Sequence, residues 1–589
     1  MKKLTSREIR SLVNVALGKE KADLVIVNGD LVNVYTREIL PGYSVAIKGE
    51  RIAYVGENAG HTIGPKTEVI DASGKFLIPG LIDGHTHLLD RGYRLEEFLR
   101  FAIPGGTTTI ITETMEIAFP LGYQGVVDFL ESTKGQPIKI FITVPPMVSL
   151  SSLVEGSAID PLTLRKLLKR NEVVGLGETY WADLLRGGKR LFELLAETLA
   201  SGKKAEGHSA GARSNKLVAY LASGISSCHE PITVDEILER LRLGLHVMIR
   251  EGDVRGELEA VSEIKDKDID FRRLILVTDG VSPERLVKDG YMEFVVQKAI
   301  NLGFDPITAI QMATLNVAEH FSLDNLIGGI APGKYADIVI IPDLKTIKAE
   351  YVISNGQIIA QEGKVLIPPR SSPLPRKVAR SVQIRRKFEP ADFIIPAEDK
   401  GDFAKVRVID LVTNLVTREA LLELPVSEGQ IKADIERDIL KVAVITGDGQ
   451  TERLFTGLVK GFGIKRGALA TTAVWDNCAI AVVGAGEEEM AQAVNRIITL
   501  QGGIVLAVDA RIQAELPLPI AGLISDQPME NIVRKLKEIQ LKLTELGCSL
   551  PDAYRTLTTL TSPAIPFLRL SEEGLVDLQK GERVPLFVT

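Results

Sequence analysis

The stretch Phe76–His87, FLIPGLIDGHTH, decides the fold. Its apolar part, FLIPGLID, reads as a buried strand, and two histidines, His85 and His87, follow the turn at its end. Four more short runs end in the same kind of side chain: VVGLGE at Glu178, KKAEGH at His208, ISSCHE at His229 and LILVTD at Asp279. The chain has only 7 histidines, and four of them belong to this set. Metal-binding groups delivered repeatedly at strand ends point to a two-metal hydrolase site at the mouth of a β/α barrel.

Working outward, eight candidate strands lie near FLIPGLID, TTTIIT, IKIFITV, VVGLGE, KKAEGH, ISSCH, LHVMIR and RLILVTD. Helical patterns such as RLEEFLRFA, KRLFELLAETLA and VDEILERLRL separate them. Thr233 and Glu236 have capping-box spacing, and Gly105, Gly202, Gly224 and Gly244 fall where helices should stop. Strands alternating with helices predict parallel pairing, and eight such units predict a closed barrel.

The flanks echo each other. VIVNGDLV near the start and VISNGQII after the barrel both carry an Asn-Gly turn signal between β-rich runs. They predict one small β domain interrupted by the barrel. A first amphipathic helix is expected within residues 1–22. The run LIPPRSSPLPRKVARSVQIRRKF reads as a solvated linker, followed by another α/β unit with strand signals LKVAVITG and CAIAVVGAG. The expected fold is therefore α/β: a (β/α)8 TIM-like barrel inserted in a small β-sandwich domain, plus a C-terminal α/β domain. The boundaries drawn are 1–75 and 329–368 for the β domain, 76–328 for the barrel, 369–388 for the linker and 389–589 for the last domain.

A chain of 589 residues with 45% hydrophobic and 25% charged residues can build several ordinary cores. The net charge of −7 argues against nucleic acid or an anionic membrane as partner. No apolar run is long enough to span a bilayer, and no secretion signal is evident at the start. Three cysteines without paired spacing fit a reducing cytoplasm.

Chemistry assigns each strand end a task. His85 and His87 are two apart, so on a strand they face the same way and can grip one ion. His208 and His229, ending adjacent strands, suit a second ion, with the Glu178 carboxylate as bridge. Asp279 can bind metal and take a proton from a water acidified by the ions, then hand it to the leaving group. Cys228 reads as a core residue; His61, His246 and His320 read as structural. Substrate-binding residues are not defined by pattern; Arg250 and Glu251, just after strand seven, are candidates.

Ligands at the ends of strands one, four, five, six and eight resemble the amidohydrolase superfamily, as do IDGHTH and GGIAPGKYADIVIIPD. The segments AEGHSAGARSNKLVAYLASGISSCHEPITVDEILERLRLGLHVMIREGD, ITAIQMATLNVAEHF, KGFGIKRGALATT and LPLPIAGLIS are similar to the adenine deaminases. The resemblance implies two divalent ions, manganese or iron with zinc also suited to these ligands, held by His85, His87, Glu178, His208, His229 and Asp279. It implies hydroxide attack on C6 of adenine, a purine-like small-molecule substrate, release of ammonia and hypoxanthine, and a homo-oligomer. The chain departs from the family pattern at Leu89 and Asp90, at Met115, at Gly280, at Tyr291, and at Trp475, Asp476, Asn477 and Cys478. These departures leave two other readings open: hydrolysis of another amino-substituted or cyclic-amide heterocycle, and a metal-binding or regulatory homologue without turnover.

Overall fold

In the computed structural model, the residues described are all except 1–2, 90–91, 157, 372–381, 450, 566 and 589. Eight parallel strands form the barrel: Leu81–Thr86, Thr107–Thr112, Lys139–Val144, Val173–Tyr180, Lys204–His208, Ser227–Cys228, His246–Arg250 and Leu274–Val277. The first five and the last three form two parallel ladders. Backbone bonds join them: Ser226 N donates to Ala205 O at 2.9 Å, and Asp279 N donates to His85 O at 3.0 Å. The second of these ties the last strand end directly to the first metal-candidate histidine.

Strands such as TTTIIT are buried along their whole length, which is why they lack polar alternation: helices cover one side and barrel packing the other. The interior is filled by Ile82, Ile111, Phe141, Met248 and Ile275. Helix Leu315–His320 packs beneath them through Val317 and Ala318. Helices stop where expected at Gly202, Gly224 and Gly244, with φ of 75°, 93° and 86°. The stop expected at Gly105 falls one residue later: Gly105 ends a short 3-10 turn, and Gly106 takes the left-handed conformation at φ 101°. Thr233 caps its helix, its hydroxyl accepting the Glu236 N–H at 3.3 Å. The Glu236 carboxylate does not close the box; it accepts from Ile232 N and pairs with Arg213.

The expected strand FLIPGLID is two strands. Phe76–Pro79 belongs to the small sheet, pairing with Ile338–Ile341 antiparallel and with Leu24–Asn33 in parallel. The barrel begins at Leu81. Gly80 makes the change of sheet possible, because a Cβ there would meet Thr108 Oγ1 at 2.1 Å. One nine-stranded sheet thus joins segments from both sides of the barrel.

The two Asn-Gly signals resolve differently. Asn355 and Gly356, with φ of 50° and 75°, turn a hairpin between Tyr351–Ser354 and Gln357–Gln361. Asn28 and Gly29 do not turn. They sit inside the continuous strand Leu24–Asn33 as a register shift, with Asn28 at φ 61°. The Asn28 amide donates to Asp71 at 3.0 Å, and Leu77 fills the space a side chain on Gly29 would need. The first helix spans Ser6–Ala16, started by a Thr5–Glu8 capping box.

Within the linker stretch, residues 372–381 lie outside the described set. Beyond it a ten-stranded sheet carries helix Glu487–Leu500, with helix Met529–Glu545 packed nearby. This part is seated on the barrel: Met529 N donates to Glu97 at 2.9 Å, and Ser149 Oγ donates to Asp476 O at 2.6 Å. Among the described residues, no helix is long and apolar enough to cross a membrane.

Candidate metal centre

The five strand ends converge. Nε2 of His85 lies 3.2 Å from Glu178 Oε1 and 3.4 Å from Asp279 Oδ1. Nε2 of His87 lies 3.3 Å and 3.4 Å from the same two oxygens. His87 falls just past the end of its strand, yet its ring still turns inward, at 86° to that of His85. On the other side, His229 Nε2 is 3.2 Å from Glu178 Oε1, and His208 Nδ1 is 3.4 Å from Glu178 Oε2. Two groups of donor atoms result, His85–His87–Glu178–Asp279 and Glu178–His208–His229, each gathered within 4.8 Å. Glu178 belongs to both, the position a bridging carboxylate needs.

The backbone is adapted to this delivery. Asp279 adopts φ 55° and Gly280 follows at 94°, so the chain reverses sharply as the last strand ends. Asp279 is held at its other oxygen by Arg250, whose Nη1 lies 3.2 Å from Oδ2 and 2.5 Å from Glu230 Oε1. Beneath the ligands, Asp83 accepts from Thr278 Oγ1 and Tyr291 Oη, both at 2.6 Å.

Charge makes the site a cation trap. Burial alone would push Glu178 up, but His229, His208 and His85 outweigh it and hold the carboxyl well below its usual range. Asp279 is also held low: burial is overcome by His85, His87 and Arg250. The imidazoles move the opposite way. Burial would lower His85, yet Asp279 and Glu178 bring it to about 10; burial would lower His208, yet Glu230 and Glu178 bring it to about 9. Carboxylates this dense draw positive charge onto the rings. Divalent ions would meet the same demand, and buried His85 Nε2 and His208 Nδ1 have no hydrogen-bond partner to lose. The nitrogen and oxygen donors therefore fit two divalent ions.

Several participants carry no sequence signal of their own. Glu230, next to His229, reaches His229 Nε2 at 3.3 Å and His208 Nδ1 at 3.6 Å. Glu116 lies 2.5 Å from His87 Nδ1, and Glu113 lies 3.9 Å from His85 Nδ1. Burial, then Glu178, raises Glu113 to about 7. Of the two candidate substrate contacts, Arg250 lies in the site, paired with Asp279 and Glu230, whereas Glu251 turns away to Arg285 at 2.7 Å and Lys298 at 2.9 Å. Cys228 is buried beside Ser209, and His320 pairs with Glu206 at 2.8 Å away from the mouth, with His246 against its ring. His61 contacts Ala16 O at 3.0 Å.

A cavity of about 650 Å³ opens over the ligands, walled on one side by the barrel and on the other by the C-terminal domain. Met115, Phe119 and Trp181 line it from the barrel; Trp475, Asp476, Asn477 and Phe567 line it from the far side. Asp476 docks the two halves, accepting from Tyr180 Oη at 2.9 Å and from Ser562 Oγ. Burial raises Asp476 to about 7 despite both hydrogen bonds. Of the positions that depart from the family pattern, Met115, Trp475, Asp476 and Asn477 face this cavity. Leu89 is in the core, Tyr291 supports Asp83, and Asp90 lies outside the described residues. Cys478 lines a separate small cavity of about 30 Å³.

A parallel barrel with a histidine and carboxylate cluster at its C-terminal mouth has the build of a hydrolase, and residues 76–365 match the amidohydrolase family. Residues 414–582 match the adenine deaminase C-terminal domain. An adenine deaminase of Clostridium botulinum is 38% identical over 585 residues, spanning 98% of this chain and 97% of that protein. One from Moorella thermoacetica is 39% identical over 583 residues, spanning 98% of each. Adenine deaminase 3 of Rhizobium meliloti is 37% identical over 587 residues, spanning 98% of each. The chain belongs to the adenine deaminase family.

Proposed function

We propose that the protein is a metal-dependent aminohydrolase that converts adenine and water to hypoxanthine and ammonia. The observation that carries this reading is the cavity itself. His87, Glu178, His208, His229 and Asp279, drawn from the two donor groups that share Glu178, form its floor, and aromatic side chains wall it for a flat ring. The named relatives, similar along nearly the whole chain, support adenine as that ring.

His85, His87, Glu178 and Asp279 would hold one ion and Glu178, His208 and His229 the other, with manganese or iron the ions proposed. Bound divalent ions would supply Lewis acidity that makes water a nucleophile near neutral pH. Asp279 takes the proton lost by that water as its oxygen bonds to C6. The same carboxyl then donates the proton to the exocyclic nitrogen, which leaves as ammonia. Arg250 keeps Asp279 oriented through its second oxygen. Trp475 and the Tyr180–Asp476 contact cover the site from the side away from the ligands, Trp181 flanks it from the barrel, and together they limit water. A reducing cytoplasm is the proposed setting, consistent with three free cysteines.

The test is purification with manganese or iron, metal analysis, and parallel assays of adenine loss and ammonia release. A fully loaded protein that leaves adenine untouched would sink the reading. A panel of pterins, pyrimidines and hydantoins would then identify the ring it accepts.

A further inference from the structure

Two carboxylates stand behind the His85–His87 pair and take no part in the proton transfers above. Both come from the end of the second barrel strand: Glu113 directly after Thr112, and Glu116 in the first turn of helix Met115–Thr133. The geometry repeats. His87 turns Nε2 to Glu178 and Asp279, and its opposite nitrogen, Nδ1, lies 2.5 Å from Glu116. His85 turns Nε2 to the same two carboxylates, and its Nδ1 faces Glu113 at 3.9 Å.

Glu113 occupies a place made for it. Its side chain is fully buried, and neither oxygen has a hydrogen-bond partner. A Cβ on Gly177, the residue before Glu178, would meet Glu113 Oε2 at 2.1 Å. The glycine in VVGLGE therefore leaves room for a carboxylate that sits behind His85, with the Thr143 hydroxyl and His87 also near it.

A neutral imidazole has one N–H and one lone pair. A carboxylate at Nδ1 selects the tautomer with its proton there, leaving the Nε2 lone pair for a ligand, and fixes the ring plane. We propose that Glu116 and Glu113 are positioning residues that aim His87 and His85 at one metal ion, Glu116 by accepting the Nδ1–H and Glu113 from its buried seat 3.9 Å behind His85 Nδ1. The proposal rests on the metal-dependent reading of the site, and it assigns the end of strand two a role that none of the six strand-end ligands performs.

Glu116→Gln keeps an acceptor without the charge, and Glu116→Ala removes both. Each full-length variant is loaded with manganese, and the rate of metal release to a chelator is measured beside metal content and circular dichroism. Release of one of the two ions is expected to quicken about 10–100-fold in Glu116→Ala, the second ion being held as before, with Glu116→Gln in between. The visible spectrum of the cobalt-loaded protein should shift in the same order. Metal retention unchanged in both variants overturns the proposal. So does unchanged retention with a raised KM for adenine at constant kcat, which would make Glu116 a substrate contact. If Glu116→Ala does not fold, Glu113→Gln and Glu116→Gln carry the same measurement, with faster release supporting the proposal and equal release overturning it. Metal release is read without substrate, so a protein that holds two ions yet ignores adenine would defeat the deaminase reading alone.

Discussion

Asp279 shows how one residue's backbone serves its chemistry. Its left-handed φ of 55° is uncommon for a non-glycine residue, and it is stabilised by the bond from its N–H to His85 O. That geometry puts Oδ1 beside both histidines and Oδ2 against Arg250. Asp279→Asn preserves the shape but removes the proton acceptor. Its kcat for adenine should fall about 10²–10⁴-fold at matched metal content. Activity within a few-fold of the unaltered protein would assign the proton transfer elsewhere. The six strand-end residues were legible because each follows an apolar run, a pattern that survives in one dimension. Glu113, Glu116 and Glu230 were not legible. A lone glutamate after a strand looks like any solvated loop residue, and its role depends on distances to other strands that spacing does not encode.

Whole elements follow the same division. Strands and helices of the barrel were readable from periodicity, because a parallel barrel repeats one unit. Where one signal had two physical outcomes, the reading diverged. Asn355-Gly356 turns, whereas Asn28-Gly29 is absorbed as an irregularity because Leu77 packs over the glycine and the sheet continues on either side. FLIPGLID reads as one apolar strand, and only the neighbouring Thr108 explains its division at Gly80. Helix Met292–Asn301 supplies a prediction at this scale. Glu293, in its first turn, is partly buried against Gly105 and Gly290, and burial raises its pKa to about 7 despite hydrogen bonds from its own and the Tyr291 backbone. The folded chain thus binds this proton more tightly than the unfolded chain, whose ordinary value is 4.5. The associated stability is present below 4.5 and is lost as pH rises through about 7. At most about 3 kcal/mol is at stake over that window. Glu293→Gln should flatten the fall, so the difference in denaturation midpoint between the two proteins should grow from pH 4.5 to 7. Parallel midpoint curves would show that Glu293 ionises freely in the fold.

At the scale of the molecule, the barrel supplies the histidine and carboxylate cluster and the C-terminal domain supplies the opposite wall. The join runs through Asp476, which is tied to Tyr180, two positions beyond Glu178 on the same strand. This arrangement gives the protein an internal reporter. The chain contains 2 tryptophans, Trp181 and Trp475, and both line the cavity, one from each wall. A purine entering between them must displace water from indole surfaces and stack or pack against at least one ring. Titration of the metal-loaded protein with hypoxanthine, the proposed product, should change tryptophan emission to saturation. Trp475→Phe should remove the part of the change that comes from the C-terminal wall and leave the Trp181 part. Asp476→Ala should weaken the response by loosening that wall, raising the half-saturation concentration more than it lowers kcat, because Asp476 touches Tyr180 and Ser562 rather than the ligand carboxylates. An emission spectrum indifferent to hypoxanthine, in a protein that turns over adenine, would place the purine outside the space between the two walls.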